Sequence, residues 1–211
     1  RLLDAVLRKG LPLDAALDSA ARDLDRPDDR GLAFAIASEA LRRLADLDAL
    51  IDGATRQRLP DDSKARFALR IALVQALAMG TPPHAAIATV LPLVEGGPRR
   101  LVHGVFGTLL RGKAKLPDPP SLPPAVAERW SRAWGDAVVA AASRLIATPP
   151  PLDLVGEPPG EVEGISLMPG HLRLARGTAV AGITGFGEGR WWVQDVSAAI
   201  PARLLGRGEG R

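Results

Sequence analysis

The sequence predicts a mainly α-helical protein whose character changes near residue 115. Three observations carry this. Apolar residues recur every three to four positions through residues 1–115, the spacing of one helix face. The stretch Leu116 to Pro124, with five prolines, then interrupts the pattern. From Leu152 onward the chain is rich in Gly, Pro and Val, with two short strand-like runs. The expected organisation is a helical bundle domain over 1–115, a proline-rich linker with a connecting helix over 116–151, and a small β-containing segment over 152–211.

Leu2, Leu3, Val6 and Leu7 make a short apolar stripe that stops at Gly10. Pro12 and Asp14 open a second segment, with Leu13, Ala16, Leu17, Ala20 and Leu24 on one face. Pro27-Asp28-Asp29 suits a helix start, because Pro fits the first turn and acids suit the positive end of the dipole. From there Leu32, Ile36, Ala40, Leu44, Leu47 and Ile51 recur in one run. Asp61-Asp62-Ser63 open the next helix, striped by Phe67, Ile71, Val74 and Ala78 and stopped by Gly80. Pro82-Pro83 restarts the chain into Ala86, Val90, Leu93 and Val94, as far as Gly96-Gly97-Pro98. A closing helix carries Leu101, Val102, Val105, Phe106, Leu109 and Leu110, giving six or seven helices in all.

Beyond the prolines, Val126 to Ala147 reads as one helix, with Trp130, Trp134, Val138 and Leu145 on or near its apolar side. His171 to Ala175 alternates like an edge strand, and Trp191-Trp192-Val193 is a second strand. Ser197 to Leu205 reads as a short helix with Pro201 in about its first turn. So thin a segment is expected to lean on other structure for its core. Trp191 and Trp192, adjacent in a strand, are expected to face opposite sides, one packing on the helix of Trp130 and Trp134 and the other exposed.

At 211 residues and 46% apolar content, the chain can bury a core without staples. It has no cysteine, which excludes a disulfide framework, a Cys-ligated zinc or iron–sulfur site and a thiol nucleophile. No apolar run approaches the roughly 20 residues of a membrane helix. The start has no signal-peptide layout and no Met, so a trimmed beginning and a cytoplasmic location are the expectation.

Net charge is only +3, but its distribution is uneven. Residues 1–60 hold 10 basic and 11 acidic side chains, residues 61–120 hold 8 and 4, and residues 121–211 hold 9 and 9. Between Arg99 and Lys115 stand Arg99, Arg100, Arg111, Lys113 and Lys115, with no carboxylate. A patch of this kind binds phosphate, or is a solvated face with cations near a helix C-terminus. Arg99 and Arg100 are the more telling pair. They stand at a helix start, where the dipole disfavours cations and free N–H groups attract anions.

Catalytic chemistry is hard to place. His84, His103 and His171 share no metal-ligand spacing and are expected to pack or cap. The glycine-rich piece Gly182 to Gly189 lacks a P-loop ending and precedes a strand-like run rather than a helix, so a turn or loop accounts for it. No catalytic or metal-binding residue is assigned.

Several stretches, in order, resemble one family. Asp28-Asp29-Arg30-Gly31 leading to Glu39-Ala40-Leu41-Arg42-Arg43-Leu44 is similar to the third helix of the NusB-like domain. Ala68 to Leu77, running into Pro82-Pro83-His84-Ala85-Ala86-Ile87, and Val102 to Arg111 resemble its later helices. Gly189-Arg190-Trp191-Trp192-Val193-Gln194-Asp195, with Ala198-Ala199 after it, resembles the segment before the catalytic domain in the Sun/Fmu/RsmB group of bacterial RNA cytosine-C5 methyltransferases.

The resemblance implies the amino-terminal, RNA-recognising part of a 16S rRNA methyltransferase, cut before its catalytic domain. S-adenosylmethionine would serve the full-length protein, with no cofactor held by this chain. The expected partners are RNA, ribosomal by this reading, and the catalytic domain in cis, with no membrane and no DNA specificity. Arg99, Arg100, Arg111, Lys113 and Lys115 are the candidate RNA contacts, joined by Arg42 and Arg43 if the third and last helices pack side by side. Two other readings stand: a stand-alone NusB-like protein in transcription antitermination, and a helical protein-interaction module.

Overall fold

Where the sequence offers a helix start, the computed structural model begins a helix. It describes residues 1–158, 160–175, 178 and 180–206. The helices α1 (Leu2–Leu7), α2 (Leu13–Ala20), α3 (Pro27–Arg42), α4 (Leu44–Gly53), α5 (Lys64–Leu77), α6 (Pro83–Val90) and α7 (Gly96–Arg111) come first. They are followed by α8 (Pro124–Trp134) and α9 (Asp136–Ile146). Strands β1 (Leu152–Gly156), β2 (His171–Leu174) and β3 (Trp191–Val193) precede a last helix, α10 (Val196–Leu204). The chain divides into two compact units, Arg1–Thr148 and Pro149–Arg211. It is mainly α with one small sheet, as the sequence predicts.

In the first unit α5 is the helix around which the others gather. Ser63 caps it by accepting the Arg66 N–H, and nine of its residues are buried. The helices α3, α4, α6 and α7 all pack on it. Leu47, Ile51, Leu69, Leu73, Val74 and Val102 close the core with no exposed surface. Each large aliphatic among them contributes about 1.5–3 kcal/mol by leaving water. Alanines at 37, 40, 68, 72 and 86 lie between these larger residues in the same core.

Two expected continuous helices are broken. The run from Pro27 to Ile51 bends at Arg43, whose φ of −107° and ψ of 19° leave the helix. Its guanidinium pairs with Glu39 and donates to the Pro117 carbonyl at 2.9 Å. The helix expected from Val126 to Ala147 is split by Gly135, at φ 84°. Glycine alone takes that conformation freely, and apolar periodicity does not register a single-residue break. Leu116 to Pro124 is pinned rather than loose: Pro120 is fully buried and Ser121 N–H donates to Asp46.

The second unit holds a three-stranded antiparallel sheet of order β2-β1-β3. Its central strand, β1, was not expected, because Leu152-Asp153-Leu154-Val155 follows three prolines and carries a charge. The unit has a small core of its own: Leu154, Leu174 and Trp191, with Leu152, Leu172 and Ile183 against them. Trp191 is 1% exposed and Trp192 49%, the expected opposite facing. The Trp191 ring packs on Phe186 and donates to Thr184 O, so its burial comes from this unit. Pro201 lies deeper in α10 than expected, at its sixth residue.

Candidate nucleic-acid interface

The helix α7 has two unlike sides. Val102, Val105 and Phe106 are buried against the core. Arg100, Gly104, Gly107 and Arg111 follow one another at helical spacing along the opposite side. Arg100 and Arg111 are about 16 Å apart along the axis at 1.5 Å per residue. The Arg111 guanidinium folds back over Gly107, where an added Cβ would lie 3.0 Å from its Nη1, and it reaches Thr108 Oγ1 at 3.4 Å.

All five cations from Arg99 to Lys115 are exposed, and among the described residues none forms an ion pair. The helix begins three residues earlier than Arg99, with Gly96 and Gly97 in its first turn and no side chain capping it. Arg99 and Arg100 therefore open the second turn, one turn in from the free N–H groups.

Arg42 and Arg43 stand differently. Both pair with Glu39, at 3.5 and 2.6 Å, and are only partly exposed. Both α3 and α7 pack on α5. What joins Arg43 to the end of α7 is its bond to Pro117 O, two residues past Lys115.

Elsewhere in this unit arginines are mostly neutralised in place. Arg66, fully buried, pairs with Asp52 and lies 3.1 Å from Asp48. It also donates to Leu59 O. Opposed by desolvation, these carboxylates hold its guanidinium above the usual range. Arg70 forms a two-pronged bond to Asp48 at 2.8 Å and stacks over Phe67. A cleft of about 480 Å³ beside them is lined by Arg8, Arg58 and Arg70 and equally by Asp48, Asp61 and Asp62. Its charges cancel, so it has no pull on a polyanion. Sequence spacing held the signal: Arg66 and Arg70 are four apart on one helix, Asp48 and Asp52 four apart on the preceding one.

The second unit has a buried ionic knot that sequence reading missed. Asp153, 1% exposed, takes Arg173 through Nε at 2.7 Å and Nη2 at 2.8 Å, and the Val196 N–H at 3.1 Å. The Arg173 bonds, helped by Val196 and His171 against the cost of burial, hold the Asp153 carboxyl down at about 2. His171 Nε2 faces the same carboxylate at 3.4 Å, while its Nδ1 accepts the Leu167 N–H. The signal was one opposite charge in each of two apolar runs, Leu-Asp-Leu and Leu-Arg-Leu. His84 and His103, expected to pack or cap, are both exposed.

Residues 1–100 match the NusB family. The NusB-family domain thus covers α1 to α6 and the first five residues of α7. Among curated proteins, none matches the chain. Among the described residues no helix is long and apolar enough to cross a membrane.

Proposed function

We propose that this chain is the RNA-recognition portion of an S-adenosylmethionine-dependent rRNA cytosine-C5 methyltransferase. The observation that carries the RNA part is the row of five exposed, unpaired cations from Arg99 to Lys115 beside a NusB-family domain. Phosphates neutralised there release counterions, which makes affinity depend steeply on salt. The methyltransferase context rests on the resemblance of the Gly189 to Asp195 segment, with Ala198-Ala199 after it.

The glycine-rich loop before β3 is closely packed. Gly185 closes against the Trp191 ring, where an added Cβ would sit 2.9 Å from Nε1, so this loop cradles no ligand. On this reading S-adenosylmethionine and the base chemistry belong to a catalytic domain in cis. The second reading, a stand-alone NusB-like antitermination protein, is compatible with the same family match over residues 1–100.

The test is the double substitution Arg99→Ala, Arg100→Ala. It is expected to weaken RNA binding across sequences and flatten the salt slope by roughly 1–2, with folding stability unchanged. Unchanged affinity at low salt, with the fold intact, would reduce Arg99 and Arg100 to a solvated surface. Crosslinking in cells separates the two contexts: ribosomal RNA supports the first, nascent leader transcripts the second.

A further inference from the structure

Lys113 is the one non-glycine residue at positive φ among the described residues, at 52°. It follows Gly112, the C-cap of α7. Its N–H bonds Leu110 O at 3.0 Å, and the Ala114 N–H bonds Leu109 O at 3.0 Å. This double closure of a helix end requires a left-handed residue at that point. Glycine is its usual occupant, because a Cβ there crowds the next carbonyl. The glycine here is one place early: Gly112 has a φ of −73°, which any residue adopts.

Nothing in the fold calls for a long side chain at Lys113. It is exposed, and neither it nor Lys115 bonds a carbonyl of the helix end, as a lysine serving the dipole would. What surrounds it is positive charge. Arg111 and Lys115 lie two residues to either side. Through Arg43 and Pro117 O, the end of α3 with Arg42 is tied to the same stretch of chain. Glu39 pairs with both Arg42 and Arg43, but no carboxylate pairs with the lysines. A strained residue kept at an exposed site, with its unstrained alternative next door, points to a use for its side chain.

Resting on the RNA-binding reading, we propose that the turn after α7 grips the RNA backbone, with Lys113 as its principal phosphate contact. The sequence alone ranks this end of the helix below Arg99 and Arg100, because the dipole accounts for cations here. The left-handed Lys113 removes that account, since the dipole would be served equally well by a lysine in ordinary conformation.

The experiment measures thermal unfolding and the binding of a fluorescein-labelled RNA hairpin over a salt series, for the unsubstituted chain, Lys113→Gly and Lys113→Arg. Lys113→Gly relieves the strain and removes the charge. It is expected to raise the Tm by about 2–4 °C and yet weaken RNA binding roughly three- to tenfold, with the salt slope lower by about one. Lys113→Arg keeps charge and conformation and should bind within about twofold of the original. A Lys113→Gly chain that melts higher and binds equally well would overturn the proposal, and an unchanged Tm would remove its strain argument and overturn it too. If the unsubstituted chain shows no salt-dependent RNA binding, the broader reading fails instead, and this one with it.

Discussion

The carboxylate of Asp46 on α4 accepts the backbone N–H of Ser121 at 2.9 Å, across 75 residues of chain. Asp46 is 7% exposed, and Pro120 beside Ser121 is fully buried. Asp46→Ala is expected to destabilise the first unit by about 1–2 kcal/mol, the worth of a hydrogen bond to a charged acceptor. Trypsin should then cut faster after Lys115. Asp46→Asn keeps an acceptor and most of the protection. Equal cleavage of Asp46→Ala and the original would show that Pro120 alone holds the segment.

Arg66 is the most costly polar residue to remove. Its side chain has no exposed surface and serves Asp52, Asp48 and Leu59 O. Arg66→Leu leaves Asp52 with only its longer pairing to Arg58 and is expected to lower stability by about 1.5–3 kcal/mol. Chemical denaturation measures this. A loss under about 1 kcal/mol would mean that the carboxylates re-pair with Arg58 or reach water.

Asp153 predicts a response to acid. Its carboxyl sits at about 2 in the fold, against 3.8 for an ordinary aspartate. A lowered carboxyl stabilises fully above its unfolded value, and the contribution disappears as pH falls through about 2. The amount is roughly 2 kcal/mol. The Val196 amide, which donates to Asp153 Oδ2, is the local reporter. Its NMR shift should titrate near pH 2 and lose that step in Asp153→Asn. A midpoint near 4 would mean that the Arg173 bond does not hold in solution.

The adjacent tryptophans should separate cleanly. Trp191→Ala empties the centre of a small core and is expected to cost the second unit about 3–5 kcal/mol, enough to unfold it. Trp192→Ala, at an exposed site, should change stability by no more than about 0.5 kcal/mol. Circular dichroism follows both, and the Trp191 indole N–H resonance follows Trp192→Ala. Equal losses would contradict the opposite facing of the two rings.

Much of this was legible because periodicity and punctuation agree along α1 to α7: Pro27, Ser63 and Pro83 begin helices where apolar stripes begin. The breaks at Arg43 and Gly135 were not. A stripe records which side faces the core, not whether one residue has left the helix. β1 was hidden because Asp153 interrupts its apolar run, and only Arg173, 20 residues later, makes that charge tolerable. In the candidate interface, the exposure of Arg99 and Arg100 follows from the apolar side of their helix. The engagement of Arg42 and Arg43 does not, since Glu39 lies within helical reach but Pro117 is 74 residues from Arg43. Backbone conformation is equally invisible to spacing, so Lys113 read as one cation among five.

The neutralised arginines of α3 and α5 also shape the molecule's far field. A pair such as Arg70 with Asp48 looks electrically silent from a few ångströms away, and the balanced cleft beside it adds nothing. The uncompensated cations of α7 then set the potential close to that helix, out to about one Debye length, about 10 Å at 0.1 M salt. A polyanion diffusing nearby would be turned toward that helix before any side chain touched it, and its association rate would fall as salt shortens that reach. Orientation would precede contact.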